Sequence, residues 1–170
     1  MKVRLAGFNT DVENRASTPE NLSAAYARIS RDPRPIGLLR REAAAEVERA
    51  RESNRLIVFG YGHGSVAEHA FFNFDLLGLS RLAAEAVQSF RLASFTEKSQ
   101  RYIRLDRDWV VPEEVPADFG DEWTDSLESL FRLYDRARRA LEEAGLPDGR
   151  AREDARYLLP LATSCQMGMS

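Results

Sequence analysis

The sequence has little cysteine, histidine and lysine: one, two and two residues among 170. With Cys165 alone, no disulfide can form within the chain, which is typical of a reducing compartment. No apolar run approaches the roughly 18 residues of a membrane span. Positions 1–20 include Lys2, Arg4, Asp11 and Glu13 instead of the apolar segment of a signal peptide. These absences predict a soluble, cytoplasmic protein.

The charge of the chain argues against a nucleic-acid-binding protein. The 24 basic and 27 acidic residues leave a formal net charge of −3, so there is no overall positive field to attract nucleic acid. Lys2 and Lys98 are the only lysines, so arginine supplies nearly all of the positive charge. Arginine binds carboxylates and phosphates through two parallel hydrogen bonds, which suits anionic ligands, although codon usage in a GC-rich genome explains most of such an excess.

Hydrophobic periodicity predicts a single α+β domain over residues 1–170. The predicted order is β-α-α-β-α-β-α-α, with three strands and five helices. Three strands with mixed spacing favour a small mixed or antiparallel sheet packed with long helices over a doubly wound parallel sheet. The predicted strands cover 2–9, 69–77 and 100–105; the predicted helices cover 19–30, 36–58, 81–91, 122–144 and about 150–159; a glycine-dense turn covers 60–65 and a loop covers 106–121.

The first candidate site is the segment HGSVAEH at 63–69. Two histidines and a glutamate suggest a metal, but their spacing differs from the i, i+4 pair of helical zinc motifs, and the chain has no third histidine. We therefore predict no metal site. Two interpretations stay open. Either His69 begins a strand and Glu68 pairs locally, or the glycine amides and the Ser65 hydroxyl receive a phosphate or the edge of a heterocycle.

The second and third candidate sites contain arginines in unusual settings. Residues 91–102 lie between a predicted helix and a predicted strand, where Arg91 and Arg101 can bind phosphate and Ser99 can hydrogen-bond to it. Residues 155–160 place Arg156 in an otherwise apolar segment, where it needs an anionic partner or a route to solvent. Considered alone, the first of these two clusters is more commonly a solvated surface loop, and Arg156 is more commonly a snorkelling arginine whose charged end reaches solvent.

Taken in chain order, these segments resemble the motifs of the flavin-dependent thymidylate synthase family. The family's H-x-S/T-x-x-E-H segment, which precedes an aromatic strand, is matched by HGSVAEHAFFNF at 63–74. Its signature R-H-R-x-x-S-x-N-x-x-S-x-R aligns with SFRLASFTEKSQR at 89–101. A later A-R-x-x-L-P segment is matched at 155–160. The resemblance covers nearly the whole chain.

The resemblance implies a methyltransferase that converts dUMP to dTMP with FAD as cofactor, NADPH as reductant and methylenetetrahydrofolate as carbon donor. It implies a homo-oligomer, usually a tetramer, that binds FAD where subunits meet. The FAD contacts it implies are His63, Ser65, Glu68, Arg91 and Glu97, and the dUMP contacts are Glu97, Lys98, Ser99, Gln100, Arg101 and Arg156. Ser99 resembles a nucleophile candidate, but no base is evident beside it, so we assign it a binding role and assign no catalytic residue.

Three positions depart from the signature. Ser89 and Phe90 stand where the family has arginine and histidine, and Thr96 stands where it has asparagine. The family also continues beyond the equivalent of Ser170 with an N-x-R segment, so the resemblance implies a domain that is incomplete at its C-terminus. These departures favour an alternative, a non-catalytic homologue that acts as a nucleotide- or flavin-binding or assembly subunit. A plain helical interaction module explains none of the motif order.

Overall fold

The computed structural model describes residues 1–105 and 107–170. Within them, four strands form one sheet: β1 (Lys2–Phe8), β2 (Phe72–Ser80), β3 (Phe95–Glu97) and β4 (Ser164–Met169), in the spatial order β1-β2-β4-β3. β3 and β4 are antiparallel, with Phe95 opposite Met169. The α+β class with an antiparallel sheet is confirmed.

Two details of the predicted strands were wrong. The strand expected at 100–105 lies earlier, at Phe95–Glu97, and the chain turns at 100–103 because the Ser99 hydroxyl accepts backbone hydrogen bonds there. Strand β4 was not expected at all. Residue 106, the first of the predicted loop, lies outside the described residues.

The chain divides into two compact units. The helical unit comprises Leu5–Phe74 with Ser170, and the sheet unit comprises Met1–Arg4 with Asp75–Met169. The helical unit contains α1 (Pro19–Ile29), α2 (Ile36–Ala45), α3 (Val47–Asn54), a π-helical segment Arg55–Gly60 and a 3₁₀ segment Gly64–His69.

Helix α1 begins as its sequence predicts. The Thr18 hydroxyl accepts a hydrogen bond from the Asn21 amide, the Asn21 side chain accepts one from the Thr18 amide, and Pro19 occupies the first helical position. The buried Asn21 also donates from Nδ2 to the Ala43 carbonyl at 2.9 Å. Small residues pack between helix α1 and helices α2 and α3. Ala24 and Ala25 of α1 form one fully buried cluster with Ala43 of α2 and Ala50 of α3.

The long helix predicted over 36–58 is interrupted. Glu46 has φ −115° and ψ 61°, which is not helical, and it separates α2 from α3. Residues Arg55–Gly60, which extend two positions beyond the predicted end, form a π-helix rather than an α-helix. The apolar spacing runs through the break, so periodicity alone predicts one helix where the backbone forms three segments.

The sheet unit contains α4 (Arg81–Gln88), a 3₁₀ turn Ala117–Phe119, α5 (Gly120–Glu143), α6 (Asp148–Ala155) and a 3₁₀ turn Arg156–Leu158. Ser80 caps α4 as predicted, since its Oγ accepts from the Ala83 amide at 3.1 Å. Phe131 and Tyr134 of α5 are 1% exposed, and the Phe131 ring lies 5.7 Å from that of Trp109. No helix among the described residues has the length and apolarity needed to cross a membrane.

Candidate functional site

A cleft of about 480 Å³ in the sheet unit gathers most of the residues that the sequence assigned to substrate. We call it the arginine cleft. Its lining consists of Arg81, Glu97, Ser99, Gln100, Arg101, Tyr102 and Arg156. The cleft thus brings together residues that are as much as 75 positions apart in the chain, from helix α4, strand β3 and the turn after α6. Three guanidinium groups against one carboxylate make its lining net positive, which suits an anion.

Glu97 is the acidic member of the cleft and ends strand β3. Its Oε2 accepts one hydrogen bond from Nη1 of Arg81 and one from Nε2 of Gln88, both at 2.9 Å. The side chains of Arg81 and Glu97 are each 26% exposed, so this ion pair is partly shielded from water. The carboxylate is therefore held in one place by helix α4.

Ser99 organises the turn that follows Glu97. Its Oγ accepts from the backbone amide of Arg101 at 3.1 Å and, more weakly, from that of Tyr102 at 3.4 Å. A hydroxyl that accepts in this way keeps its own proton available for a ligand oxygen. The position beside the guanidinium of Arg101 is consistent with the binding role assigned to Ser99.

Arg101 is exposed but not free. Its guanidinium lies 5.5 Å above the centre of the Tyr102 ring, and Nη1 is 3.5 Å from Oε1 of Glu153 in α6. Nε of Arg152, also in α6, donates to the carbonyl of Arg101 at 3.2 Å. These contacts set the direction of the Arg101 side chain, and among the described residues no other hydrogen bond occupies the remaining donors of its guanidinium.

Arg156 follows α6 directly and is half-buried. Among the residues that the structure describes, no carboxylate lies within 4.0 Å of its guanidinium. The sequence required either an anionic partner or a route to solvent for this side chain, and the structure gives it an open cleft. Among the described residues, Arg81 pairs with Glu97 and Arg101 lies 3.5 Å from Glu153, whereas Arg156 has no carboxylate partner.

Lys98 does not line the arginine cleft. Its amide donates to the Gln166 carbonyl at 3.0 Å, which continues the β3–β4 ladder, and its side chain lines a neighbouring groove with Asp75 and Thr96. Glu97 borders both this groove and the arginine cleft, whereas Lys98 lines only the groove. Five of the six predicted substrate residues therefore meet, and Lys98 stands apart.

Three of the predicted FAD contacts lie in the helical unit. His63 precedes the 3₁₀ segment Gly64–His69, and Ser65 and Glu68 lie within it; all three side chains are exposed. Gly62 has φ +73°, a conformation that glycine adopts without strain, and it directs the chain into this segment.

His69 does not begin a strand, contrary to one interpretation of the sequence. It ends the 3₁₀ segment, its ring lies 4.7 Å from that of Tyr26, and its carbonyl accepts from Nδ2 of Asn9. Within residues 1–105 and 107–170, no group of three or more His, Cys, Asp or Glu side chains is arranged to hold a metal ion.

Arg91 lies in the sheet unit but outside the arginine cleft. It is exposed in the turn after α4, between Phe90 and Leu92, which are 61% and 90% exposed. The neighbouring Ser89 directs its hydroxyl to the Ala86 carbonyl at 2.7 Å. Neither Ser89 nor Phe90, the first two departures from the signature, lines the arginine cleft.

Sequence reasoning missed Arg81 and Gln88, the two residues that bind Glu97. Neither belongs to a motif, and their contacts with Glu97 span 16 and 9 positions. One local signal was present at Arg81, because a cation at the first position of a helix opposes the helix dipole and calls for a nearby anion.

Comparison with known proteins decides the family. The model of the family described as "Thymidylate synthase complementing protein" matches residues 12–170. The chain belongs to this family. Flavin-dependent thymidylate synthases are among the relatives of this family member. That of Nitratidesulfovibrio vulgaris is 31% identical over 164 residues, which cover 92% of this chain and 66% of the relative. That of Clostridium tetani is 28% identical over 174 residues, covering 95% and 68%.

The chain matches only part of the length of its curated relatives. The enzyme of Pyrococcus abyssi is 35% identical over 112 residues, which are 62% of this chain but 43% of the relative. The matched part thus spans from less than half to about two thirds of the curated relatives.

Solved structures share the fold. A UMP/dUMP methylase from Streptomyces cacaoi, bound with 5-Br dUMP, superposes with a TM-score of 0.66 at 21% identity, over 99% of this chain and 71% of that one. Thymidylate synthase X from Helicobacter pylori, with FAD and dUMP, gives a TM-score of 0.63 at 18% identity, over 99% and 77%. The family expected from the three sequence motifs is confirmed.

Proposed function

We propose that this protein is a flavin-dependent thymidylate synthase that methylates dUMP to dTMP. The observation that carries the proposal is the arginine cleft, whose net positive lining includes Arg101, Arg156 and Ser99. The membership of the chain in this family adds to that observation. A 5′-phosphate carries up to two negative charges and three acceptor oxygens, so it matches guanidinium and hydroxyl donors. The names of the relatives support the reaction, and methylenetetrahydrofolate and NADPH enter the proposal as carbon donor and reductant.

The protein's own residues would bind and orient the nucleotide. Arg101 and Arg156 would hold the phosphate, and Ser99 and Gln100 would hydrogen-bond to it or to the sugar. Holding a substrate in a reactive orientation lowers the entropic part of the barrier. We assign no proton transfer to Ser99, because its Oγ contacts backbone amides and no basic side chain is bonded to it among the described residues.

FAD fits the residues proposed for it by their chemistry. His63, Ser65 and Arg91 are exposed donors that suit a pyrophosphate, and Glu68 and Glu97 can accept from ribose hydroxyls or ring N–H groups. When bound, FAD supplies the redox chemistry of the methylation, and the protein supplies its binding and orientation. We propose a homo-oligomer, with the tetramer as the expected form, acting in the cytoplasm.

A second candidate is a nucleotide- or flavin-binding subunit without catalytic activity. It is favoured by Ser89, Phe90 and Thr96, which replace signature residues, and by the exposure of the first two at the end of α4. Each charge-assisted contact that is lost would weaken cofactor binding by about 1.5–3 kcal/mol. Under this candidate the arginine cleft still binds dUMP but no product forms.

Activity and binding assays separate the two candidates. The purified chain is incubated with dUMP, methylenetetrahydrofolate, NADPH and FAD, and dTMP is measured with each component omitted in turn. We expect dTMP only in the complete mixture. Binding of dUMP without product would favour the binding subunit, and absence of both dUMP binding and flavin absorbance would overturn the synthase proposal. In either case, Arg101→Ala should abolish dUMP binding.

A further inference from the structure

Helix α4 presents two donors to the same carboxylate oxygen. Arg81 and Gln88 are seven residues apart, which is two helical turns, so they lie on one face of α4. Each donates to Oε2 of Glu97 at 2.9 Å. We call this arrangement the α4 clamp.

Both ends of the clamp are anchored on the same part of the chain. The amides of Arg81 and Leu82 donate to the carbonyls of Thr163 and Leu161, at 2.9 and 3.1 Å, just before β4 begins. On the other side, strand β3 carries Glu97 and pairs with β4. The geometry of the clamp is therefore fixed by backbone hydrogen bonds and not by the side chains alone.

The clamp uses only part of each group's bonding capacity. Within the part of the chain that the structure describes, Oε1 of Glu97 accepts no hydrogen bond, and Nε and Nη2 of Arg81 donate none. A carboxylate lining the same cleft as Arg101 and Arg156 would, if left unpaired, repel an anionic ligand and compete for the two arginines. Pairing with Arg81 compensates its charge and directs Oε2 to α4.

We propose that Arg81 and Gln88 are positioning residues that hold Glu97 so that the arginine cleft accepts a nucleoside monophosphate. The inference rests on the proposed function and names residues outside every motif of the sequence. Compensation of the Glu97 charge protects binding of the phosphate, and the free Oε1 remains to accept from a ligand N–H or O–H. The two donors thereby act through Glu97 and not by touching the phosphate.

A double-mutant cycle tests the coupling. Dissociation constants for dUMP and for deoxyuridine, which lacks the phosphate, are measured by calorimetry for the wild type, Arg81→Met, Glu97→Gln and the double variant. Arg81→Met should weaken dUMP binding by at least about tenfold, the scale of a charge-assisted contact. In the Glu97→Gln background, Arg81→Met should change the dUMP affinity by no more than about twofold, which is within the error of additivity. The loss of the Arg81 effect in this background would show that Arg81 acts through Glu97.

Further variants separate positioning from folding. Arg81→Lys retains the charge and should retain most of the dUMP affinity, and Gln88→Met should weaken dUMP binding by a smaller factor that also vanishes in the Glu97→Gln background. The matched control is Arg132→Met, which removes an exposed arginine of α5 that pairs with Glu128, and it should leave both affinities unchanged.

The outcomes distinguish failure of the α4 clamp from failure of the proposed function. An equal loss in both Glu97 backgrounds would overturn the clamp, because Arg81 would then act directly on the ligand. An equal loss for dUMP and deoxyuridine would also overturn it, since a general disturbance of the fold does not distinguish the phosphate. Failure of the wild type to bind dUMP would overturn the proposed function together with this inference, whereas wild-type binding without coupling would overturn the clamp alone.

Discussion

Removal of the Arg156 guanidinium should weaken dUMP binding by roughly ten- to hundredfold. A hydrogen bond to a charged group contributes about 1.5–3 kcal/mol, and each 1.4 kcal/mol is a factor of ten in affinity. The structure supports this full contribution of a charged hydrogen bond for Arg156. Arg156 is half-buried in the arginine cleft and has no carboxylate within 4.0 Å among the described residues, so its loss breaks no competing ion pair.

Calorimetry with two ligands measures the effect. Arg156→Ala should lower the affinity for dUMP and leave the affinity for deoxyuridine nearly unchanged, because the guanidinium is assigned to the phosphate. Arg156→Lys should recover part of the loss, since lysine keeps the charge but cannot form two parallel hydrogen bonds. Arg132→Ala is the control on the exposed face of α5. Unchanged dUMP affinity in a folded Arg156→Ala protein would refute the reasoning.

Three further predictions concern stability. Phe131→Ala should lower the free energy of unfolding by about 3–5 kcal/mol, because the ring is 1% exposed and packs against Trp109. Urea unfolding measures this loss. A loss below about 1 kcal/mol would contradict the assignment of Phe131 to the core. Gly145→Ala should cost about 1–2 kcal/mol at a φ of +93°, and an unchanged unfolding midpoint would refute this. Hydrogen bonds from Arg34 lower the pKa of Asp32 from 3.8 to about 2, so its stabilisation is complete above the unfolded value and is lost as the pH falls through about 2. Melting temperatures between pH 5 and pH 2 should fall less steeply for Asp32→Asn than for the wild type, and parallel curves would contradict the assignment.

Local signals in the sequence predicted where several elements begin and end. Thr18 with Pro19 marked the start of α1, and Ser80 marked the start of α4, because capping residues act on the adjacent backbone. Gly145, at positive φ, follows the C-cap of α5 and lies one residue beyond the predicted helix end. Such features depend on neighbours in the chain and are therefore visible in a single sequence.

Elements whose conformation depends on distant partners were missed. The β4 segment SCQMGM contains a glycine and no valine, isoleucine or threonine, so it has weak strand propensity, and it is a strand because it pairs with β3. The break at Glu46 was missed as well, since no proline or glycine marks it. In β4, pairing with β3 overrides local preference, whereas the sequence offers no signal for the break at Glu46.

The candidate site also contains residues whose proximity the sequence predicts and residues that only the fold brings together. The motif residues Ser99 and Arg101 lie within a few positions of each other, so their proximity follows from the turn that Ser99 organises. Arg81 and Gln88 reach Glu97 only because α4 lies against the end of β3, and no spacing rule in the sequence predicts this contact. The motifs therefore predicted which groups bind a ligand but not which groups hold them.

The most direct test of the central claim is the formation of dTMP from dUMP by the purified chain. The account predicts product when FAD, NADPH and methylenetetrahydrofolate are all present, and none when FAD is omitted or when Arg101 is replaced by alanine. Absence of dTMP in the complete mixture would contradict the account, and binding of dUMP without product would then favour the binding subunit.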